Sequence, residues 1–502
     1  MILLLTALGA HAASLDLIEV GGMWGTPGAT DATALWWNPA GLAVDDTTTF
    51  VAEGAPVLAA VGWDRPNPDY GIIDRDADGN ADAETYDYSG RQDLTFLGVV
   101  PYLGVHSNFG VPNLGVGLGL AVPYARGGDS EPLQSIGNQN IKTGNITTLY
   151  AMLGLAYDIE DKVSLGVTGV FLDNTWDVSV DTESVTSLRD SVAEIVDDPV
   201  YWQDADTENT GYATNLDFQS LKDTAFTFNV GANVHPTDKW SVAVSYNHGA
   251  KLVNTGDVKF TFACPPEQDG GGRFGSALFG LCNPATEAVA AFDGTAEIAY
   301  QLPGRVQLGV VVNPVKKVRL ELMGAYVMWS AFTDYDITTK LTSEAVLEGQ
   351  AEGLTLTRDA AQNAAELVSQ NRFWARDNTN TFWTGVDGKF QVHRLVLAGA
   401  RVMYDHSAIP TTVLSTNNFD ANSVELAGLV AFKPVKSLDI GLSYGHHFLI
   451  TRTVTDSVLA LDINPEERNE DRTFWPNANG TYSGGIDRFG ISVRGRFGVE
   501  ED

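Results

Sequence analysis

The side chains best placed to do chemistry are the carboxylates of Asp74-Arg75-Asp76-Ala77-Asp78-Gly79-Asn80-Ala81-Asp82. Asp74, Asp76, Asp78, Asn80 and Asp82 recur at the spacing of oxygen ligands for calcium, and Gly79 supplies the tight turn of such a loop. Position twelve holds Thr85 in place of the bidentate Glu of an EF-hand, with Glu84 one residue early, so a calcium loop and a merely acidic loop both stay open. Calcium in this external loop would order it and take no part in catalysis, and no cofactor is required. Enzyme signals are few. There is no G-x-S-x-G, Gly128-Asp129-Ser130 has no histidine partner in context, and His446 and His447 point to opposite faces of a strand, so they cannot share a metal. Cys264 and Cys282 lie in one glycine- and proline-rich segment without zinc-site spacing. In an oxidising compartment they would form a disulfide closing a surface loop, with free thiols the alternative. Arg488, Arg494 and Arg496 alternate with apolar residues. They either hold the carboxylate of a ligand or pair with protein carboxylates such as Asp439 or Glu321, and the second reading is favoured.

Composition restricts the elements that can position these groups. The 502 residues carry 31 Lys and Arg against 64 Asp and Glu, a net charge of −33, which argues against nucleic acid as a partner. Fifty-one glycines, 49 aromatic residues (22 Phe, 16 Tyr and 11 Trp) and only 19% charged residues suit many strands with aromatic faces. No run of eighteen apolar residues follows the start, which excludes a helical membrane protein and leaves a barrel open. The opening MILLLTALGAHAA fits a signal peptide cleaved after Ala12, and so export.

Beyond residue 46 the chain alternates with period two. Trp240, Val242, Val244 and Tyr246 face one way, as do Leu438, Ile440, Leu442 and Tyr444, and polar or small residues fall between them. DIEDK (Asp158 to Lys162), HPTDK (His235 to Lys239), NPVKK (Asn313 to Lys317) and KPVKS (Lys433 to Ser437) are tight turns. Seven long excursions, at about 61–93, 127–142, 179–222, 253–292, 337–375, 407–421 and 451–481, separate the pairs of runs. Short turns at one end and long loops at the other predict an all-β fold, a 14-stranded antiparallel transmembrane β-barrel, with the long loops extracellular. A soluble sandwich or propeller shares the alternation, but aromatics at strand ends, such as Tyr157, Trp240, Phe432 and Tyr444, favour membrane girdles. Ser343 to Gln370 and Asp181 to Val196 have helical composition within those loops.

One stretch is unlike the rest. Ala32 to Leu42, ATALWWNPAGL, reads as neither strand nor helix: Pro39 forces a turn after Asn38, and Trp36 and Trp37 need an enclosing wall. Residues 13–46 are therefore expected inside a barrel formed by 47–497, leaving 498–502 as an acidic tail. In one strand, Gly115, Gly117, Gly119 and Ala121 alternate with Leu114, Val116, Leu118, Leu120 and Val122, and Pro123 follows. That inner face is almost bare backbone, so it can admit a plug, open sideways, or both.

DATALWWNPAGLA (Asp31 to Ala43), the stretch Phe226 to Val258, YQLPGRVQLGVVVNP (Tyr300 to Pro314) and YVMWSAFTDYDI (Tyr326 to Ile337) occur in the order found in the FadL-type family. The chain resembles these outer-membrane transporters of long-chain fatty acids and other hydrophobic compounds. The resemblance implies a hatch in the lumen with Asn38, Pro39 and Ala40 matching the hatch motif. It also implies a lateral opening at the third strand, here the glycine run, and passive uptake of a hydrophobic small molecule by a monomer in contact with outer-membrane lipid. A FadL-like barrel serving as a surface protein-interaction or secretion-associated component is the alternative, and a general porin is a third. The sequence departs from the family where GVEED follows Phe497, since family barrels end on an aromatic.

Overall fold

The computed structural model describes residues 20–45, 47–65, 90–129, 141–183, 213–237, 239–262, 282–283, 288–289, 291–341, 350–351, 354–355, 371–415, 419–457 and 479–497. Fourteen antiparallel strands form one closed barrel. They are β1 (Thr48–Arg65), β2 (Gly90–Ser107), β3 (Leu114–Asp129), β4 (Ile141–Ile159), β5 (Val163–Glu183) and β6 (Ala213–Thr237). Four strands in two segments follow: β7 (Trp240–Asn247 and Ala250–Phe262), β8 (Ala291–Leu302 and Arg305–Val315), β9 (Val318–Val327 and Asp334–Leu341) and β10 (Asn371–Ala375 and Thr381–His393). The last are β11 (Val396–Asp405), β12 (Ser423–Val435), β13 (Leu438–Val454) and β14 (Gly480–Phe497). Each strand pairs with its neighbours in sequence, and β14 returns to β1 from Thr48↔Phe497 to Asp64↔Thr481, so the wall has no free end to seal.

The period-two pattern becomes two surfaces. Aliphatic residues such as Leu118, Leu153, Leu322, Val430 and Ile491 point outward and are exposed, which is the lipid-facing band, while their neighbours are buried in the lumen. Tight turns follow local chemistry. Glu160 and Asp161 both take positive φ, and Lys162 N–H closes the turn onto Ile159 O at 3.1 Å. In NPVKK and KPVKS the register shifts between Val312 and Val315 and between Phe432 and Val435, where Pro314 and Pro434 cannot donate to a ladder.

The loops differ in part from expectation. Asp181–Glu183 extend β5, and within 343–370 the described residues are two short strands, Gln350–Ala351 paired with Leu354–Thr355. The remainder of 181–196 and of 343–370 lies outside the described residues. A 3₁₀ turn does occur in the loop after β11, at Thr411–Val413. That loop bends inward, burying Ile409, Val413, Leu414 and Phe419 over the barrel mouth.

Candidate transport path

Residues 20–45 lie inside the barrel, with hydrogen bonds to strands on opposite walls. The stretch expected to be neither strand nor helix contains one helical turn, Ala34–Trp37, and a 3₁₀ turn, Pro39–Ala43. Asn38 between them is extended (φ −160°), as a residue before proline must be, and its side-chain oxygen accepts from Ala40 N–H at 3.2 Å. One turn leaves its C-terminal carbonyls without partners of its own. The barrel supplies them. Asn247 Nδ2 donates to Trp36 O at 3.0 Å, and Ser245 Oγ and Gln307 Nε2 donate to Trp37 O at 2.6 and 3.0 Å. Asn38 Nδ2 donates in return to Ala232 O on β6 at 3.1 Å.

The bare face of β3 receives this segment. A Cβ on Gly117 or Gly119 would meet the Leu35 side chain, and one on Gly115 would strike Leu42 O. The cradle continues beyond β3 through Gly154, against Leu35 and Leu42, and Gly166, against the Pro39–Ala40 backbone. The opposite flank is charged. Arg401 donates to Gly22 O and Gly25 O at 3.2 and 3.0 Å, Arg319 donates to Gly28 O at 2.9 Å, and Glu321 accepts from Gly28 N–H at 2.8 Å. Asp387 compensates Arg401 and Lys389. Asp31, in the hatch, pairs with Arg494 at 2.9 Å. Burial pushes the Asp31 carboxyl up, but Arg494 and two hydrogen bonds from Thr33 outweigh burial and hold it below its ordinary value.

Above the hatch the lumen is aromatic. Trp36, 1% exposed, meets Tyr150 edge-on with centroids 5.5 Å apart. The column continues from Tyr150 through Tyr124, Trp329, Phe332 and Tyr335 to Trp176, at centroid distances between 4.9 and 6.4 Å. Arg305 lies over Trp36 at 5.2 Å and donates to the Tyr124 hydroxyl at 2.7 Å. Sequence reading missed Tyr124, Tyr150, Trp176, Arg305 and Trp329. The available signal was large aromatics on inward positions of strands whose outward positions were already apolar.

The wall parts beside this column. β1 and β2 pair over their whole length, but the β2–β3 register runs only from Ser107↔Val116 to Tyr102↔Ala121. The next two rungs would be Pro101–Val122 and Val100–Pro123, so a proline on each strand stands at the fork. Residues 121–125 are all buried, ending the alternation of β3. Val122 and Ala125 belong to one cluster with Ala55, Val57 and Ala59 of β1 and Ile486 of β14, so above Ala121 β3 bends inward from β2 while staying paired with β4 as far as Asp129. This spares its unpaired edge from lipid. Gly115, Gly117 and Gly119 thus lie under the hatch, and Ala121 is the last paired residue before the fork.

A model of the outer membrane protein transport protein (OMPP1/FadL/TodX) family matches residues 24–458. The chain belongs to this FadL/TodX family. It is a β-barrel of the bacterial outer membrane, in a family of transport channels and not of enzymes. Among solved structures, a Pseudomonas aeruginosa FadL homologue is similar at 16% identity and TM-score 0.65, covering 98% of this chain and 99% of that one. The P. putida toluene transporter TodX is similar at 12% identity and TM-score 0.59, covering 93% and 95%. The CymD monoaromatic hydrocarbon channel is similar at 13% identity and TM-score 0.56, covering 94% of each chain. No curated protein sequence matches.

Within this FadL/TodX-type barrel the three arginines singled out from sequence face protein carboxylates. Arg488 pairs with Glu53, Arg494 with Asp31, and Arg496 with Asp439 at 3.1 Å. A ligand carboxylate there would have to displace them. Glu321 serves Arg319 and the hatch backbone instead. His447 is buried in the lumen while His446 faces outward, as their adjacency requires. The calcium loop, Asp74 to Asp82, and Cys264 lie outside the described residues. The backbone of Cys282 pairs with Val289 in a two-residue ladder.

Proposed function

We propose that this barrel takes up a hydrophobic small molecule passively. The ligand enters the aromatic column, comes to rest against Trp36, and leaves sideways between β2 and β3 into the bilayer once the hatch shifts. The observation that carries the reading is that Tyr124, in the lower column, follows Pro123 directly, so binding place and wall fork share one turn of strand. An acyl chain gains about 0.8 kcal/mol per buried methylene, so capture needs no energy source. Release needs a hatch state that binds the ligand less well. Fatty acids and monoaromatic hydrocarbons both suit the column.

The test is uptake of radiolabelled oleate and of toluene by cells that lack a transporter of their own and express this chain. Trp36→Ala is expected to cut uptake of at least one of the two while the barrel still assembles. Uptake no greater than in cells carrying an empty vector would overturn the proposal, and passage of small hydrophilic solutes alone would point to a general porin.

A further inference from the structure

Three histidines stand two residues after a tyrosine: Tyr246-Asn247-His248, Tyr404-Asp405-His406 and Tyr444-Gly445-His446. The chain has only eight histidines, and sixteen tyrosines among 502 residues, so this recurrence is not compositional. A two-residue step on a strand places both side chains on one face. Asn247, Asp405 and His447 are buried in the lumen, so each Tyr-x-His pair faces the bilayer, with His248 between the two segments of β7, His406 directly after β11 and His446 midway along β13.

The three sites are built alike. His248 stacks on Phe228 at 5.0 Å, His406 stacks on Phe382 at 5.4 Å, and His446 meets Phe448 edge-on at 4.3 Å. In each the Nδ1 atom is engaged within the protein. His248 Nδ1 bonds the Tyr246 hydroxyl at 2.9 Å, and His446 Nδ1 bonds Asp487 at 2.8 Å, a carboxylate that also accepts from Tyr444 at 2.6 Å. His406 Nδ1 reaches Thr381 Oγ1 at 3.4 Å. Each ring therefore offers Nε2 to the surroundings. The His446 ring lies over Gly485, where an added Cβ would come within 3.2 Å of Nε2.

Their height is also shared. Below them the outward residues are Val244, Val402 and Leu442, all exposed and apolar. Beyond them come Lys251 on β7 and Thr379 and Asn380 beside His406, all exposed. The row through His446 and Asp487 continues to Leu58 and Leu97, above which stand Thr95, Asp93 and the Asp64–Arg91 ion pair. The pairs thus lie near the outer edge of the lipid-facing band, which on β13 continues past His446 through the exposed Phe448 and Ile450.

We infer that the three Tyr-x-His pairs are binding points for the phosphate groups of outer-leaflet lipids. In its imidazolium form a ring whose Nδ1 is committed within the protein has one free donor, Nε2–H, which suits a single phosphate oxygen, and the neighbouring Phe lies against the first carbons of the lipid tails. The strongly acidic chain would otherwise repel an anionic head group.

The test uses the full chain purified in detergent, with dioleoylphosphatidic acid as probe and dioleoylglycerol as the same tails without phosphate. Native mass spectrometry should show phosphatidic acid retained by the wild type and bound roughly tenfold less tightly by H248L/H406L/H446L, with dioleoylglycerol indifferent to the substitutions. Equal retention of phosphatidic acid by both proteins would overturn the inference. Should the variant misfold, ¹⁵N-histidine spectra of the wild type decide. Phosphatidic acid should move the Nε2 signals of His248, His406 and His446 and leave lumenal His106 in place, and three unmoved signals refute it. Displacement of the probe by lipid A would assign the sites to lipopolysaccharide, and failure to displace it would assign them to glycerophospholipid.

Discussion

Replacing Gly166 with alanine should unseat the hatch without disturbing the barrel. A methyl carbon on Gly166 would lie 2.4 Å from the Pro39 carbonyl carbon and 2.5 Å from Ala40 N. Non-bonded carbons settle at about 3.5–4.0 Å, so the two backbones must part by about 1 Å. Local adjustment is blocked, because Asn38 is tied to both Ala232 and Ala40 and the Trp37 carbonyl is held by Ser245 and Gln307. Overpacking of this kind costs about 1–3 kcal/mol and is felt only in the seated state, so the ratio of seated to unseated hatch should fall about 5- to 150-fold. Conductance in planar bilayers reads the unseated fraction, and heat-modifiable gel mobility verifies that the barrel is folded. Gly169→Ala on the same strand is the control, since nothing lies within 4 Å of its Cβ. If the two variants, both folded, conduct alike, the cradle does not position the hatch.

Two further outcomes follow from the same geometry. Pro101→Val with Pro123→Val restores a donor on each side of the fork, so the β2–β3 ladder should lengthen. Amide exchange at Val99 and Val100 should slow and uptake should fall, and unchanged exchange would remove the prolines as its cause. Asp31→Asn should weaken hatch seating at neutral pH. The folded Asp31 carboxyl is held below its ordinary 3.8, so its contribution is present above that value and is lost as pH falls through the lower folded value. Protease accessibility of the hatch in wild type and variant should differ at pH 7 and converge in strong acid, and a constant difference would refute the pairing.

The barrel was legible in the sequence because its signals are local. Alternation such as Trp240 to Asn247 and turns such as NPVKK depend on neighbouring residues alone. The enclosed position expected for Trp36 and Trp37 follows from the same kind of reasoning, since two indoles beside a proline cannot stay in water. What escaped was set by register. Pro101 and Pro123 are unremarkable until strand pairing brings them to one fork, and Glu53 lies 435 positions from Arg488. The aromatic column was hidden because girdle and lumen aromatics look alike in a list of residues, and only the wall distinguishes Phe228 outside from Trp176 inside. The helical turn at Ala34–Trp37 is too short for propensity to announce and owes its stability to donors on β7 and β8.

The ion pair between Asp31 and Arg494, and the bond from Trp24 to Ser492, join the first tenth of the described chain to its last strand. The part of the polypeptide made first therefore has no complete berth until the part made last has been laid down. During biogenesis the leading segment must wait, unanchored on that side, and its docking closes the sequence of events that the final strand begins.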